Sequence, residues 1–440
     1  MLRVLKFDFS PSPEELSRQL PRAASSDSLV RDEVRALIDA VRMRGSQALA
    51  DQARRFEGIE PESLFLSQEQ LSASVELLDP GLRSAIVTAI NRVRRVSEAI
   101  LPDSNSVSVI PGGRVSNRFT PISAAGVYVP GGKASYPSSA IMNVVAAQVA
   151  GVARIVMASP IRDLERGLPD DTVMAVAHLL GVSEFMVAGG AGAIAALAHG
   201  LGDIGFPAVD AITGPGNKYV AAAKALVSNQ VIIDSEAGPT EILVLADSSA
   251  HPEYVAADLI SQAEHDESAA AVLVTHSAEL AGAVAEAVSR RLQFEPNRER
   301  AAAALSGSQS AIVVCANWDI AIAVADNYAA EHLSIQCLAA SEVAGRIQNA
   351  GAIFVGSNSP VSLGDYLAGS NHVLPTGGSA RRQSVLSPLT FLRLQQVIEY
   401  DAAALAASAP NILALTKAEG LPGHYSAISA RLESGDSGHN

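Results

Sequence analysis

The chain has 440 residues, a formal net charge of −14, 48% hydrophobic and 18% charged residues. This length exceeds the roughly 250–300 residues at which one hydrophobic core stops growing, so at least two domains are expected. The acidic balance, without any basic run, argues against nucleic acid or an anionic membrane as a partner. Its two cysteines lie in apolar runs, and it has no apolar signal region or bilayer-spanning stretch, so we expect a cytoplasmic protein without disulfides.

The first hundred residues are predicted to be helical. Apolar residues recur at helical spacing from Leu29 to Val41 and again from Leu82 to Ile100, while charged residues cover the other faces. The period changes near residue 107, and a buried strand from Gly126 to Pro130 opens a different pattern.

Strands and helices then alternate in two successive series that meet near residues 235–240. The first is predicted as strands 126–130, 153–158, 184–188, 208–212 and 230–234 with helices 138–150, 170–180, 191–200 and 217–228. The second is predicted as strands 241–246, 270–274, 311–315, 333–337 and 352–355 with helices 253–265, 277–292, 318–330 and 341–349. This alternation indicates an α/β fold with parallel sheets and crossover helices. Beyond residue 380, two helical pieces, 388–410 and 411–432, are expected around Pro410.

Two glycine-rich turns of the first series have the context of a nucleotide-binding loop. Residues 190–195 fit G-x-G-x-x-A between a strand and a helix, and Asp210 lies about twenty residues further on. In an Ala- and Gly-rich chain the same pattern also arises from close helix–sheet packing, so both interpretations stay open. Residues 213–218 join a strand to a helix, where Asn217 can cap the helix or turn its amide toward a ligand.

Polar residues of the second series suggest acid–base or metal chemistry. Gln262 and His265 are three residues apart and share one face of the predicted helix 253–265. Glu331 and His332 form an adjacent acid–base pair at the end of a helix. Asp365 follows the last predicted strand, and active sites of parallel sheets collect beyond the carboxyl ends of the strands.

No His/Cys spacing in the chain gives a complete local metal site. Zinc takes about four ligands, so a site would have to be assembled from distant segments, for example Gln262, His265, Asp365 and His424. Spacing alone does not establish that set, and glutamine is an uncommon zinc ligand.

Eight short stretches together resemble the histidinol dehydrogenase family, and the similarity runs from about residue 25 to 432. They are 126–132 (GVYVPGG), 214–217 (GPGN), 237–241 (AGPTE), 261–266 (SQAEHD), 330–333 (AEHL), 363–366 (LGDY), 369–376 (GSNHVLPT) and 419–424 (EGLPGH). Each stretch is modest alone, but their combination in this order is highly specific.

The resemblance implies an α/β fold of two Rossmann-like parallel-sheet domains with helical N- and C-terminal segments. The implied organisation is an N-terminal extension (1–25), a helical segment packing with the second α/β domain (26–125), a first Rossmann-like domain on the NAD side (126–236), a second with the zinc and catalytic residues (237–380) and a C-terminal helical tail (381–440). It also implies a homodimer in which Glu419 and His424 of the tail complete the partner's site.

The implied activity is zinc-dependent oxidation of L-histidinol through L-histidinal to L-histidine with two NAD, which ends histidine biosynthesis. His332 would be the base in both oxidations, and Glu331 would activate the water that hydrates the aldehyde. The implied zinc ligands are Gln262, His265, Asp365 and His424. The implied substrate contacts are Thr240, Gln262, His265, Glu331, His332, Asp365, Glu419 and His424. The positions that match NAD contacts are Tyr128, Gly192 and Asn217.

One position departs from the family pattern. Glutamine usually stands where this chain has Gly192, so NAD binding is either weakened or restored by another side chain. Thr240 replaces a common serine and keeps its hydroxyl.

Three other functions stay open on sequence grounds. A family paralogue would oxidise another amino alcohol or a sulfonated diol with NAD. A cysteine mechanism would oxidise an aldehyde through a thiohemiacetal at Cys315 or Cys337. A non-catalytic binding protein would keep the fold, and Gly192 is the only residue that supports it.

Overall fold

The computed structural model of the chain describes residues 2–7, 15, 19–22, 28–131, 135–235 and 238–434. Its strands are β1 (Arg3–Phe7), β2 (Asn105–Ile110), β3 (Gly113–Pro121), β4 (Ala124–Tyr128), β5 (Arg154–Ser159), β6 (Glu184–Val187), β7 (Ala211–Thr213), β8 (Ile232–Ile233), β9 (Glu241–Ala246), β10 (Ala270–Thr275), β11 (Ala311–Cys315), β12 (His332–Gln336), β13 (Ala352–Val355) and β14 (Leu392–Tyr400). Its helices are α1 (Ser28–Arg44), α2 (Ser46–Phe56), α3 (Gln68–Glu76), α4 (Pro80–Ile100), α5 (Pro137–Ala150), α6 (Asp171–Leu179), α7 (Gly190–His199), α8 (Lys218–Val227), α9 (Pro252–Ala263), α10 (Ala278–Leu292), α11 (Arg298–Ser306), α12 (Trp318–Tyr328), α13 (Ala340–Ala344), α14 (Val361–Tyr366), α15 (Ala402–Ala418) and α16 (Pro422–Ser434).

The chain divides into a main unit, Met1–Ile100 with Ile122–Phe391, and a small unit, Leu101–Pro121 with Leu392–Asn440. Both series of alternating strands and helices belong to the main unit. Within the described ranges, no helix has the length and apolar content that crossing a bilayer requires. Much of the predicted extension 1–25 lies outside the described residues, as do Gly132 and Ala237 of the motif stretches.

The first sheet of the main unit is parallel, with strand order β6-β5-β4-β7-β8. Its central strand β4 is buried at every residue, as expected for a strand with helices on both faces. Strands β5 and β6 lie on one side of β4, and β7 and β8 lie on the other. The crevice at the carboxyl ends of β4 and β7 is therefore a topological switch point, where ligands bind in open α/β sheets.

The N-terminal helices pack against the helices of this first sheet. Val34 and Ile38 of α1 belong to the same buried cluster as Ile194 and Leu197 of α7. In the same way α3 contacts α6, and α4 contacts α5. The small side chains of α7 (GAGAIAALAH) let neighbouring helices approach closely. These core contacts are with the first sheet, while α4 also reaches the predicted second domain, where Arg92 Nη1 donates to the Leu367 carbonyl oxygen over 2.8 Å.

The second sheet of the main unit is also parallel, with strand order β1-β11-β10-β9-β12-β13. Strands β9 and β10 are buried throughout, which matches their continuous apolar runs. The edge strand β1 pairs with β11, with Arg3 opposite Ala311. Residues 3–7 are therefore a strand and not part of a helical segment, because five residues are too few to display a helical period. Two parallel sheets with crossover helices confirm the predicted fold class.

The small unit is an antiparallel sheet of order β14-β3-β2 together with α15 and α16. The helical segment implied for 26–125 and the helical piece predicted for 388–410 are wrong over residues 105–121 and 392–400, which form β2, β3 and β14. Serine alternates with valine in β2, a turn at Gly112 (φ +80°) follows, and LRLQQVIEY in β14 also suits a strand. Pro410 lies inside α15 instead of ending it, since packing of α15 on α16 outweighs a proline penalty of ~3 kcal/mol.

Candidate active site

Polar residues of the second series converge at the amino-terminal edge of the second sheet. Thr240 immediately precedes β9, and Glu331 precedes β12, whose first residue His332 lies opposite Ile242. Crossover helices run antiparallel to the strands, so the end of α9 with Gln262 returns to the same edge. A location at the carboxyl edge was expected for Asp365, but its Oδ1 lies 3.9 Å from Nε2 of His332 at this amino-terminal edge.

A continuous set of hydrogen bonds links these residues. The Gln262 Nε2 donates to Thr240 Oγ1 over 2.6 Å, and Thr240 Oγ1 donates to Glu331 Oε2 over 2.6 Å. The backbone N–H of Glu241 donates to the same carboxylate oxygen over 2.7 Å. Gln262 and Glu331 are buried, so these contacts fix both side chains. The amide oxygen of Gln262 is left as the atom that can bind a cation or a ligand donor.

The His332 imidazole is oriented by the backbone of β9. Its Nδ1 lies 3.2 Å from the carbonyl oxygen of Glu241, which can only accept, so Nδ1 carries the proton in the neutral ring. Its Nε2 is buried without a hydrogen-bond partner among the described residues, and lies 3.9 Å from Asp365 Oδ1. The ring also packs at 6.1 Å, between centroids, from Phe354. A buried imidazole nitrogen with a free lone pair is the arrangement that a general base requires.

A second buried carboxylate belongs to Glu241, whose backbone contacts both Glu331 and His332. Burial raises its pKa to about 7; the Arg22 guanidinium opposes the shift and the nearby Glu331 adds to it. Arg22 Nη1 lies 3.4 Å from Glu241 and stacks on the Tyr328 ring, and the Tyr328 hydroxyl donates to the same carboxylate. The sequence did not predict these contacts with Glu241. Glu241 lies in one of the eight family-like stretches, but the sequence around Arg22 gave no sign that Arg22 contacts Glu241.

Asp365 lies near His332 Nε2, and His372 lies close to Asp365 and within electrostatic reach of His265 and His332. Burial lowers the pKa of His372; the Asp365 carboxylate opposes this, and the charges of His332 and His265 add to the lowering. His372 Nδ1 lies 3.0 Å from the backbone carbonyl of Asp365. Helix α9 ends at Ala263, two residues short of its predicted end, and His265 follows in a turn whose N–H donates to Gln262 O. His372 was quoted in a motif but received no role from the sequence.

A cavity of about 650 Å³ lies at the carboxyl-terminal edge of the first sheet. Its lining includes Tyr128 at the end of β4, the Gly189–Gly190 turn before α7, and Asn217 before α8. The Tyr128 hydroxyl accepts from Gly190 N over 3.1 Å, and burial raises the Tyr128 pKa to about 12. Asn217 caps α8 by accepting from Tyr219 N and Val220 N, so it is both a cap and a cavity residue.

The helix α2 supplies one wall of this cavity and reaches Gly192. A Cβ on Gly192 would fall 2.4 Å from Gln52 Oε1 and 3.0 Å from a methyl of Leu49. Gln52 and Leu49 line the cavity, so the amide nearest to this position comes from α2. Asp210, considered as a ribose ligand, accepts instead from Ser123 N and Ala124 N at the amino end of β4. The fingerprint-like pattern therefore includes no ribose-binding acid at Asp210.

Comparison with known proteins places this geometry in a family. The family model described as histidinol dehydrogenase matches residues 20–432. The histidinol dehydrogenase of Leifsonia xyli is 50% identical over 423 residues, covering 96% of this chain and 97% of that protein, and that of Mycolicibacterium smegmatis is 50% identical over 425 residues, covering 96% of each. The crystal structure of histidinol dehydrogenase from Elizabethkingia anophelis superposes with a TM-score of 0.93 at 30% identity, covering 99% of both chains. The chain belongs to the histidinol dehydrogenase family.

Membership in the histidinol dehydrogenase family confirms the resemblance and the predicted enzyme class, an NAD-dependent oxidoreductase. Within the described residues, no group of three or more His, Cys, Asp or Glu side chains is arranged to hold a metal ion. Gln262, His265 and Asp365 as zinc ligands of the main unit stay a prediction from the resemblance. These three side chains would offer zinc one imidazole nitrogen, one carboxylate and one amide oxygen. Zinc usually takes four ligands, so this donor set fits zinc and leaves one ligand to come from elsewhere.

The remaining residues predicted from the resemblance to this family belong to the small unit. Glu419 follows the last residue of α15, and His424 lies in the first turn of α16. Both are exposed. Their grouping with Gln262 and Asp365 stays a prediction.

Proposed function

We propose that the chain oxidises L-histidinol through L-histidinal to L-histidine, with zinc and two NAD per turnover. The observation that carries the proposal is the His332 imidazole. Its Nδ1 is held on the Glu241 carbonyl, and its buried Nε2 has a free lone pair within 3.9 Å of the Asp365 carboxylate. In that orientation His332 takes the alcohol proton through Nε2 as the hydride leaves the carbon.

The second oxidation needs a hydrated aldehyde, because only the gem-diol carries another hydride and another hydroxyl proton. Glu331 is the residue we assign to activation of that water. Thr240 Oγ1–H and the Glu241 N–H both bind its Oε2, so one face of the carboxylate is engaged and its orientation is set. His332 then acts as base a second time, and the enclosed site holds the reactive aldehyde between the steps.

Gln262, His265 and Asp365 would hold zinc from the main unit, with His424 as the remaining ligand. Bound zinc would supply a fixed point for the imidazole and amine of the substrate, and so orient the alcohol carbon. The bond from Gln262 Nε2 to Thr240 leaves the Gln262 oxygen as its ligand atom. Thr240 and Glu419 would contact polar groups of the substrate.

The cavity at the switch point of the first sheet is the site we assign to NAD, which would accept one hydride in each step. Tyr128 and Asn217 line it, and the Gly189–Gly190 turn brings backbone close to the space. Gly192 leaves room for Gln52, whose Nε2 donates to the Leu37 carbonyl oxygen and whose Oε1 is the polar atom that would serve where the family pattern has glutamine. This arrangement supports NAD binding despite the departure at residue 192.

We also propose a homodimer in which the partner's tail supplies Glu419 and His424. The small unit supports this, because it presents large apolar side chains to solvent; Ile398 is 69% exposed and Leu415 is 63% exposed. Ile398 lies opposite Val115, and Val115 lies opposite the exposed Val107, so these side chains form one apolar row; contiguous exposed apolar surface marks protein interfaces.

The cysteine mechanism has little support. Burial raises the pKa of the Cys315 thiol to about 12, and burial also raises that of Cys337. Neither thiol is therefore disposed to form a thiolate at neutral pH, which the attack on an aldehyde requires.

The direct test is NAD reduction by the zinc-loaded protein with L-histidinol, compared with other amino alcohols and a sulfonated diol. We expect turnover with L-histidinol and about two NADH per L-histidine formed. His332→Ala should keep zinc and L-histidinol binding and lose about 100-fold or more in kcat. Turnover of a sulfonated diol in preference to L-histidinol would instead identify a family paralogue.

A further inference from the structure

Lys224 and Asp234 form a buried ion pair beside the last strand of the first sheet. Lys224 is on α8, and Asp234 follows the last strand of the sheet, β8. Their side chains are only 2% and 3% exposed, and the Lys224 Nζ contacts Asp234 Oδ1. Moving two charges out of water is costly, so both members of a buried ion pair need further hydrogen bonds to offset that cost.

Those further partners are the two polar atoms of one residue, Gly214. Lys224 Nζ donates to the Gly214 carbonyl oxygen over 3.0 Å, and the Gly214 N–H donates to Asp234 Oδ2 over 2.8 Å. The other carboxylate oxygen, Oδ1, also accepts from Ser235 N over 2.8 Å. The ion pair therefore holds Gly214 from both sides, through its N–H and its carbonyl, with charge-assisted bonds that are stronger than neutral ones.

Gly214 itself sits against Tyr128. Its φ of +117° is one that favours glycine, and a Cβ there would fall 2.0 Å from the Tyr128 carbonyl oxygen. Tyr128 ends β4, and Gly214 directly follows β7, the neighbouring strand in the sheet. Three residues after Gly214, Asn217 caps α8. The residue held by the ion pair thus lies against one residue that lines the cavity, Tyr128, and three positions before another, Asn217.

From this geometry we propose that Lys224 and Asp234 are positioning residues for the dinucleotide, which they do not touch. They hold the turn from β7 to α8 in the one conformation in which Tyr128 and Asn217 both face the cavity. The proposal rests on the assignment of this cavity to NAD. It concerns how tightly NAD binds and not the chemistry at His332, because the pair lies in the first sheet and the base in the second.

The variant that tests the proposal replaces both charges, Lys224→Met with Asp234→Leu. Removing one partner alone would strand a buried charge and unfold the region, whereas apolar replacement of both members of a buried pair is often tolerated. The double variant removes every side-chain bond to Gly214 without leaving an unpaired ion. Its matched control is Arg154→Met with Glu184→Leu, which removes the ion pair at the amino ends of β5 and β6 in the same sheet.

The measurements are the Kd for NADH by fluorescence titration, KM for NAD and L-histidinol, and backbone amide exchange of residues 213–219. We expect the Lys224/Asp234 double variant to raise the NADH Kd and the NAD KM about tenfold, with KM for L-histidinol and kcat at saturating NAD within about threefold. Amide exchange of the turn should accelerate before any coenzyme is added. The control should leave all of these values near wild type.

A folded double variant with unchanged NADH affinity, or with both KM values raised together, would overturn the proposal. If the double variant does not fold, Lys224→Met with Asp234→Asn decides, because it keeps an acceptor for the Gly214 N–H and leaves no unpaired ion; unchanged NADH affinity in that variant refutes positioning. If the wild-type protein binds no NADH, the assignment of the cavity to NAD is wrong. Faster amide exchange of residues 213–219 in the double variant would then still show that the ion pair holds this turn.

Discussion

Asp258 offers a test of how helix α9 is docked on the second sheet. It lies one helical turn before Gln262, and its Oδ2 accepts from Gln336 Nε2 over 2.9 Å and from Ser334 Oγ over 3.4 Å. Burial raises its pKa from an ordinary value of 3.8 to about 6, and the two hydrogen bonds oppose that shift. The substitution Asp258→Asn keeps an acceptor oxygen for Gln336 and removes the charge.

The size and the sign of the effect follow from linkage. A carboxyl whose pKa is higher in the folded state binds its proton more tightly there, so stability falls as pH rises from 3.8 to about 6. At about 1.4 kcal/mol for each tenfold change in proton binding, the full penalty above pH 6 is about 3 kcal/mol. The Asp258→Asn variant avoids this penalty, so it should be more stable than wild type at pH 8, by up to about 3 °C in Tm. The difference should shrink toward pH 4.5.

Thermal unfolding of both proteins between pH 4.5 and 8 measures the difference directly, because other titrating groups contribute equally to each. The matched control is Asp319→Asn, whose carboxylate is 82% exposed, so this substitution removes a charge without removing a buried one. A Tm difference that is constant with pH, or an Asp258→Asn variant that is least stable relative to wild type at pH 8, would refute the reasoning.

Three further experiments test the proposed chemistry. Thr240→Val should reduce kcat about 30- to 300-fold, because it deprives Glu331 of a donor and leaves the buried Gln262 amide unpaired, whereas Thr240→Ser should stay within about threefold; equal losses would contradict the hydrogen-bond account. Cys315→Ser with Cys337→Ser should keep turnover within about threefold, and loss of activity in a folded double variant would revive the cysteine mechanism. Chelation should abolish turnover and Zn²⁺ should restore it, as judged by metal analysis alongside NADH formation; activity that survives in metal-free protein would contradict the zinc assignment.

Periodicity predicted the elements of the main unit well where the strands are buried and the helices are long. The run EILVLA of β9 is apolar after its first residue, and it is a buried strand. The same method failed for β1 and β14, which are short or exposed strands whose pairing partners are far along the chain. Pairing of Arg3 with Ala311 depends on a register that no local window contains. For β1 and β14, the distant pairing partner is therefore the information that the local pattern could not supply.

The packing of the N-terminal helices was missed for a related physical reason. The apolar stripe of α1 shows that the helix has one buried face, but it does not say which face of which sheet receives it. The partner is α7, where the alternation of alanine and glycine leaves a shallow surface. Complementary shape between two helices is a property of the pair, and neither sequence states it alone.

At the candidate site, residue types were predictable and their mutual geometry was not. Gln262 and His265 remain close because a turn after α9 preserves their spacing, and Glu331 and His332 are adjacent in the chain. Nothing local indicated that Thr240 bridges Gln262 to Glu331, since that contact joins the ends of a helix and two strands.

Residue spacing also explains the row of polar side chains that lies between α9 and β12. Asp258 and Gln262 are four apart on α9, and His332, Ser334 and Gln336 are two apart on β12, so each set presents one face. A rise of 1.5 Å per helical residue spans about 6 Å over four residues, and two strand residues span nearly the same distance, about 6.6 Å. Polar side chains at these spacings therefore lie at matching heights on α9 and β12. Gln262 lies at the height of the proposed base His332, and Asp258 lies at the height of Ser334 and Gln336. Because the Asp258 contacts fix the height of α9 against β12, they also fix the height at which Gln262 meets Thr240, and the stabilising substitution Asp258→Asn, which retains them, should leave kcat unchanged.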